Sequence, residues 1–416
     1  MIQRGKDFTC AESAISTHVC SGCEPGSESR LGPSDQTYRD RPSSRGNEMS
    51  PGKARLWTGI SCVGTLVTIA AAMLFSDAPN ALFAETLSGR PADFIAFLMF
   101  FAVAALLLLP FDLIGGIWIP VSLENQTPKL SVWLRRWVRS VGIQVIFYSV
   151  TFFIYLQIGR GVGAPWLIVI FAMIQIALLA GQELIWRTMV AQPAGFAGEG
   201  ATQFVPHFDQ RFSGGITGMP GFESILIPAD WRTRLQPSSL RLLVTRRIAA
   251  RDSGGRVRGI FWAMLWNIIS FTVAILLSGG AIVSVANLVT AFLWFLLLSF
   301  LGLLLLPALN RQSVFALDHY VAAHVSTVEL QEAIREIDEL TEQDPTRSAS
   351  AESIFQPIPC PERRLLSLAK EGSQHVIAWN IARTALYLSW AFGGPLARAV
   401  HCNVGRPELW ALLPSD

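Results

Sequence analysis

Six stretches of this chain are apolar, free of charged residues over their centres and close to the thickness of a bilayer in length. They cover residues 56–75, 94–109, 141–158, 165–184, 259–277 and 286–306. At 1.5 Å per residue, roughly 20 residues cross the hydrocarbon core. A charge at its centre costs about 2.5–3.5 kcal/mol on insertion scales. Pro110 and Pro307 close the second and sixth stretches, and Pro165 opens the fourth at a favourable first helical position. The expected fold class is therefore an all-α polytopic membrane protein with about six transmembrane helices. Only 15% of the 416 residues are charged and 51% are hydrophobic, which excludes a disordered chain and argues against a cytosolic enzyme. A net charge of +2 gives no reason to expect nucleic acid as a partner. Asn267 and Gln175 are the main polar residues within the runs, and hydrogen bonding between helices accounts for both.

Loop charge sets the expected orientation. Lys53 and Arg55 precede the first run, and Lys129, Arg135, Arg136 and Arg139 lie between the second and third. The segment 185–258 ends in Arg246, Arg247, Arg251, Arg256 and Arg258, whereas 278–285 carries no basic residue. The positive-inside rule places both termini and both long polar regions in the cytoplasm. The expected organisation is a polar, disordered 1–48 with Met49 as an alternative start, four spans over 49–184, a cytoplasmic part over 185–258, a membrane hairpin over 259–306, and a second cytoplasmic part with a tail over 307–416. Cys20 and Cys23 form a lone C-x-x-C without a second ligand pair, and Cys62, Cys360 and Cys402 are scattered, so all read as reduced thiols.

The two polar parts contain an ordered series of signals. Residues 221–228 (GFESILIP) suit a strand, and Leu235-Gln236-Pro237-Ser238-Ser239-Leu240 is a helix start leading into 241–252. The hairpin follows, and then Asn310-Arg311-Gln312-Ser313-Val314-Phe315-Ala316-Leu317-Asp318-His319-Tyr320. This order over residues 213–366 resembles the HtpX and CAAX prenyl-protease family of integral-membrane zinc metallopeptidases. In that family a strand and a Leu-Ser-Pro-type helix start lead to H-E-x-x-H. A membrane hairpin follows, then a helix bearing E-x-x-x-D, and a His-Pro followed by Arg. The resemblance implies a small, mainly helical peptidase-like domain split by a membrane hairpin, in a protein of the inner membrane.

The residues that would do the chemistry differ. On the family pattern the zinc histidines fall on Arg246 and Ala250, the catalytic glutamate on Arg247 and the glutamate ligand on Val314. Asp318, Pro359 and Arg364 are retained, while the histidine of His-Pro becomes Ile358. A zinc peptidase needs neutral imidazoles or carboxylates with free lone pairs, and a carboxylate to take a proton from bound water. Arginine is a permanent cation with no acceptor. Alanine and valine have no ligand atom. Two guanidinium groups beside a divalent ion would repel it by on the order of several kcal/mol. No metal, cofactor or catalytic residue is expected, and Asp318 is expected to pair with Arg246 or Arg247.

Other features read as structure. Asp318 and His319 point about 100° apart on a helix, and His207 with Asp209 precedes the strand, so a substitute metal site has little support. The glycine-rich 212–221 lacks a Gly-Lys-Ser/Thr ending and reads as turns. Pro110 through Gly116 reads as a helix end with glycine as the stop. Val328, Ile334, Ile337 and Leu340 mark an amphipathic helix, residues 341–353 a polar loop, and 381–392 a packed or interfacial helix. The tail from Arg406 carries no readable chemistry. The leading function is a catalytically silent peptidase relative that binds a membrane-protein client or a partner peptidase. The alternatives are an active peptidase with a displaced metal site and a transporter or channel.

Overall fold

The computed structural model describes residues 49–83, 90–190, 202–206, 212–341, 352, 358–369 and 375–412. The expectations for 1–48, including Cys20 and Cys23, and for His207 and Asp209, lie outside the described residues.

Each apolar run becomes a helix long and apolar enough to cross a membrane. Helix α1 (Pro51–Phe75) starts with proline at its first position and with the Ser50 hydroxyl accepting from the Lys53 N–H. The short α2 (Ala78–Phe83) follows. Helix α3 (Arg90–Leu113) does not stop at Pro110 as expected. It continues through one π-helical turn, Ile114–Trp118, into α4 (Ile119–Leu123). Gly115 and Gly116 are therefore not stop signals. A Cβ on Gly115 would lie 2.3 Å from the Val404 carbonyl oxygen, and one on Gly116 would lie 2.2 Å from Trp133 Nε1. The glycine pair lets a distant part of the chain lie directly on the helix. Helices α5 (Leu130–Gly161) and α6 (Ala164–Val190) complete the first four spans.

The strands β1 (Thr202–Val205), β2 (Gly215–Thr217) and β3 (Ser224–Pro228) form a sheet of order β1-β3-β2, with β1 parallel and β2 antiparallel to β3. The expected 221–228 strand is its centre. Period-two alternation sends Leu226 into the large core shared with the spans, while Ile225 and Ile227 join Leu243, Ala249 and Ala250. Helices α7 (Trp231–Arg234) and α8 (Pro237–Asp252) follow.

The hairpin consists of α9 (Gly255–Leu277) and α10 (Val285–Ala322). Here too the expected stop, Pro307, lies inside a continuous helix. At 38 residues α10 is about 57 Å long, so one rigid element carries Asp318 well past the apolar stretch. Helix α11 (Thr327–Thr341) packs Leu330, Ala333 and Ile334 against Leu242 and Val321. Val328 is exposed instead of joining that face, because six residues separate it from Ile334, about 240° around the helix.

After α12 (Pro361–Leu368), the chain returns to the spans. It forms α13 (Ile381–Leu388), a 3₁₀ turn over Ser389–Phe392, α14 (Leu396–Ala399) and a final 3₁₀ turn over Pro407–Leu409. Residues 381–412 therefore pack on the spans, and the tail is not without content. Tyr387 donates to the Leu178 carbonyl, Tyr155 to that of Ala391 and Gln182 to that of Ala411. Asn267 donates to the Ala385 carbonyl at 2.9 Å and lies 3.5 Å from Gln175 Oε1. The Phe392 ring stacks on Phe152 with centroids 4.8 Å apart and meets Phe271 edge-on.

One ion pair joins this returning segment to α3. Arg398 Nε donates to Asp112 Oδ2 at 2.8 Å, and its Nη2 bonds the same oxygen. Trp137 Nε1 donates to Oδ2 and the Gly405 N–H to Oδ1, both at 2.8 Å. The guanidinium also lies 4.6 Å from the Trp410 ring centroid. Because the glycine pair admits this segment, Gly115→Val is expected to destabilise its docking by about 1–3 kcal/mol. The check is limited trypsinolysis: cleavage after Arg398 should accelerate while cleavage after Arg234, at the end of α7, does not.

Candidate functional site

The site is built where α8 crosses the lower part of α10. Pro237 pre-sets the first turn of α8, and the Gln236 N–H is taken by Glu336 of α11 at 3.0 Å. From there Leu242, Leu243, Arg246, Arg247, Ala249 and Ala250 form the buried face. On α10 the facing positions are Ser313, Val314, Leu317, Asp318 and Val321. Arg246 and Ala250 are thus one turn apart on one helix, and Val314 and Asp318 one turn apart on the other.

Asp318 is the hub, with no measurable exposure. Arg364, on α12, binds it with a two-pronged fork: Nε donates to Oδ2 and Nη2 to Oδ1, both at 2.8 Å. Arg246 Nε lies 2.9 Å from Oδ1 as a second ion pair. Of the two arginines offered as partners for Asp318, then, Arg246 makes the pair. Arg247 turns to the sheet, where Nη1 donates to the Leu226 carbonyl at 2.8 Å and Nη2 to that of Ser213 at 2.6 Å. The chain reaches that second carbonyl through Gly214, at φ +73°, where a Cβ would lie 1.9 Å from Leu226 O. Part of the glycine-rich 212–221 is thus a fitted approach of β2 to β3, and not a phosphate loop.

Ala250 packs in an apolar cluster with Leu243 and Leu317, and Val314 is fully buried. Pro359 is buried and Ile358 half-buried just ahead of α12. His319 Nε2 lies 3.5 Å from Ser367 Oγ and not against Asp318. Among the described residues no group of three His, Cys, Asp or Glu side chains converges. Cys62 and Cys360 are buried free thiols, and burial pushes that of Cys360 up to about 11, so it stays protonated at neutral pH.

The side chains gathered around Asp318 offer no set of three zinc ligands among the described residues. The positions that would supply imidazoles and a second carboxylate present a guanidinium, a methyl and an isopropyl group, and the one carboxylate is occupied by two cations. Sequence reasoning found Asp318, Arg246 and Arg364 as positions. It did not find the role of Arg247, whose partners are backbone carbonyls, or the Asp112–Arg398 pair. The signal for that pair was an aspartate directly after Pro110 at the end of an uncharged run, and an arginine between two apolar tail segments.

Neither a protein-family model nor a curated protein sequence matches the chain. The fold is similar to that in the crystal structure of S. mikatae Ste24p, at 13% identity and a TM-score of 0.55, over 74% of this chain and 79% of that one. At that identity the likeness shows the fold alone: a multi-pass α-helical membrane protein with six helices long and apolar enough to cross a bilayer.

Proposed function

We propose that this protein is a catalytically inactive member of the membrane metallopeptidase fold that acts by binding. It holds a membrane-protein client or a partner peptidase at the cytoplasmic face of an inner membrane, with both termini on that side. The observation that carries this reading is the charge hub at Asp318: two arginine cations pair with the carboxylate that a metal would need, in a site closed to solvent. Hydrolysis through zinc needs an open coordination position and a carboxylate base, and α8 offers Arg247 where that base would stand. A displaced site around His319 draws less support, since its nearest polar contact is a serine hydroxyl.

Metal analysis of the purified full chain tests the proposal. Zinc is expected far below one ion per chain, and chelators should leave any proteolytic background unchanged. One zinc per chain, lost on Asp318→Asn or His319→Ala, would overturn it.

A further inference from the structure

Among the described residues, Arg383 is a buried cation without a partner. It projects from α13, is 5% exposed, and its Nη1 has no hydrogen-bond acceptor among the described residues. No carboxylate among those residues pairs with it, whereas nearby Arg256 is held by Glu223 at 3.1 Å and by the Gly218 carbonyl. A guanidinium does not lose its proton in proteins, and leaving one buried and uncompensated is strongly unfavourable. The site therefore calls for an anion.

The cavities around Arg383 indicate which kind. It lines a polar recess with Gln182, Asn380, Thr384 and Tyr387. It also lines an apolar cavity of about 230 Å³ between α1, α10 and residues 400–402, walled by Leu56, Val63, Phe300, Leu304, Pro307 and Leu386. Trp57, Leu301 and Leu305, on the same two helices, are exposed, so this cavity lies beside the surface that meets lipid. It is also near the start of α1, where Lys53 and Arg55 mark the end of the span that the positive-inside rule assigns to the cytoplasmic leaflet. A free inorganic anion would satisfy the guanidinium and leave the apolar cavity unfilled. An amphiphile fills both.

We propose that Arg383 is the head of a binding site for an anionic phospholipid, with the phosphate at the guanidinium and an acyl chain in the apolar cavity. Recognition is by charge-assisted hydrogen bonds at one end and by burial of CH₂ groups at the other. The assignment does not depend on whether the Asp318 site binds metal.

The test uses the full chain, delipidated in a neutral detergent and returned to phosphatidylcholine nanodiscs with or without phosphatidylglycerol as the minor component. Native mass spectrometry should find phosphatidylglycerol retained on the wild type, together with a raised unfolding temperature. Arg383→Met should retain it about tenfold more weakly. A second variant, Gly64→Leu, keeps the guanidinium and adds a side chain to the wall of the apolar cavity, where a Cβ meets nothing within 4 Å. It should also lower retention, and it decides the matter should Arg383→Met fail to fold. Retention in either folded variant equal to wild type overturns the proposal. A stabilising shift reproduced in full by inorganic phosphate alone overturns the lipid assignment in favour of a free anion.

Discussion

Asp318→Ala is expected to cost about 3–5 kcal/mol and to lower the unfolding temperature of the sheet, α8 and the end of α10 together. The substitution removes the carboxylate with which Arg364 and Arg246 both pair, each of them about 5% exposed. Neither guanidinium can shed its proton, so both lose the buried counter-charge that Asp318 supplies. The size of the effect comes from that stranded charge more than from the worth of the ion pairs. A compensating variant separates the two. Replacing all three charges by apolar residues of similar volume (Asp318→Leu, Arg246→Met and Arg364→Met) should recover most of the loss, as buried ion clusters replaced whole are often neutral in stability. Unfolding in detergent, followed by intrinsic fluorescence and by hydrogen exchange over α8, reads both results. If Asp318→Ala melts with the wild type, Asp318 is not the hub described above.

Arg398→Met should be comparably damaging, about 3–5 kcal/mol, but within the spans. It leaves Asp112 with the Trp137 indole and the Gly405 N–H and no paired cation among the described residues, inside a bundle with little water to solvate a carboxylate. Resistance to unfolding in mixed detergent micelles should fall sharply, and Asp112→Asn added to Arg398→Met should restore part of it, since a neutral amide removes the buried charge and keeps an oxygen for one of the two donors. The cation–π contact with Trp410 would not return, so recovery should be incomplete. An unchanged unfolding midpoint in Arg398→Met would show that Asp112 finds another cation.

The number of spans was legible because insertion energetics write themselves as long uncharged runs. Helix ends were not. Pro110 and Pro307 carry a breaker signal learned from water, but in a bundle neighbouring helices and local π turns accommodate a proline, and both helices run on. The returning segment was opaque for a different reason. Its meaning lies in pairs such as Arg398 with Asp112, 286 residues apart, and hydrophobic periodicity reports only on neighbours a turn or two away. At the candidate site, charge opposition made an Asp318–Arg246 pairing readable once the two helices were aligned through the family pattern. Arg247 was beyond reach, because a backbone carbonyl leaves no mark in a sequence.

The Asp112–Arg398 pair also has a consequence in time. A ribosome makes the aspartate long before its counter-ion, so through most of synthesis the second span carries a lone acid that the membrane disfavours. The nascent bundle must keep a seat open for a segment not yet translated. A chain interrupted before residue 398 never fills that seat, and its second span keeps an acid without this counter-ion.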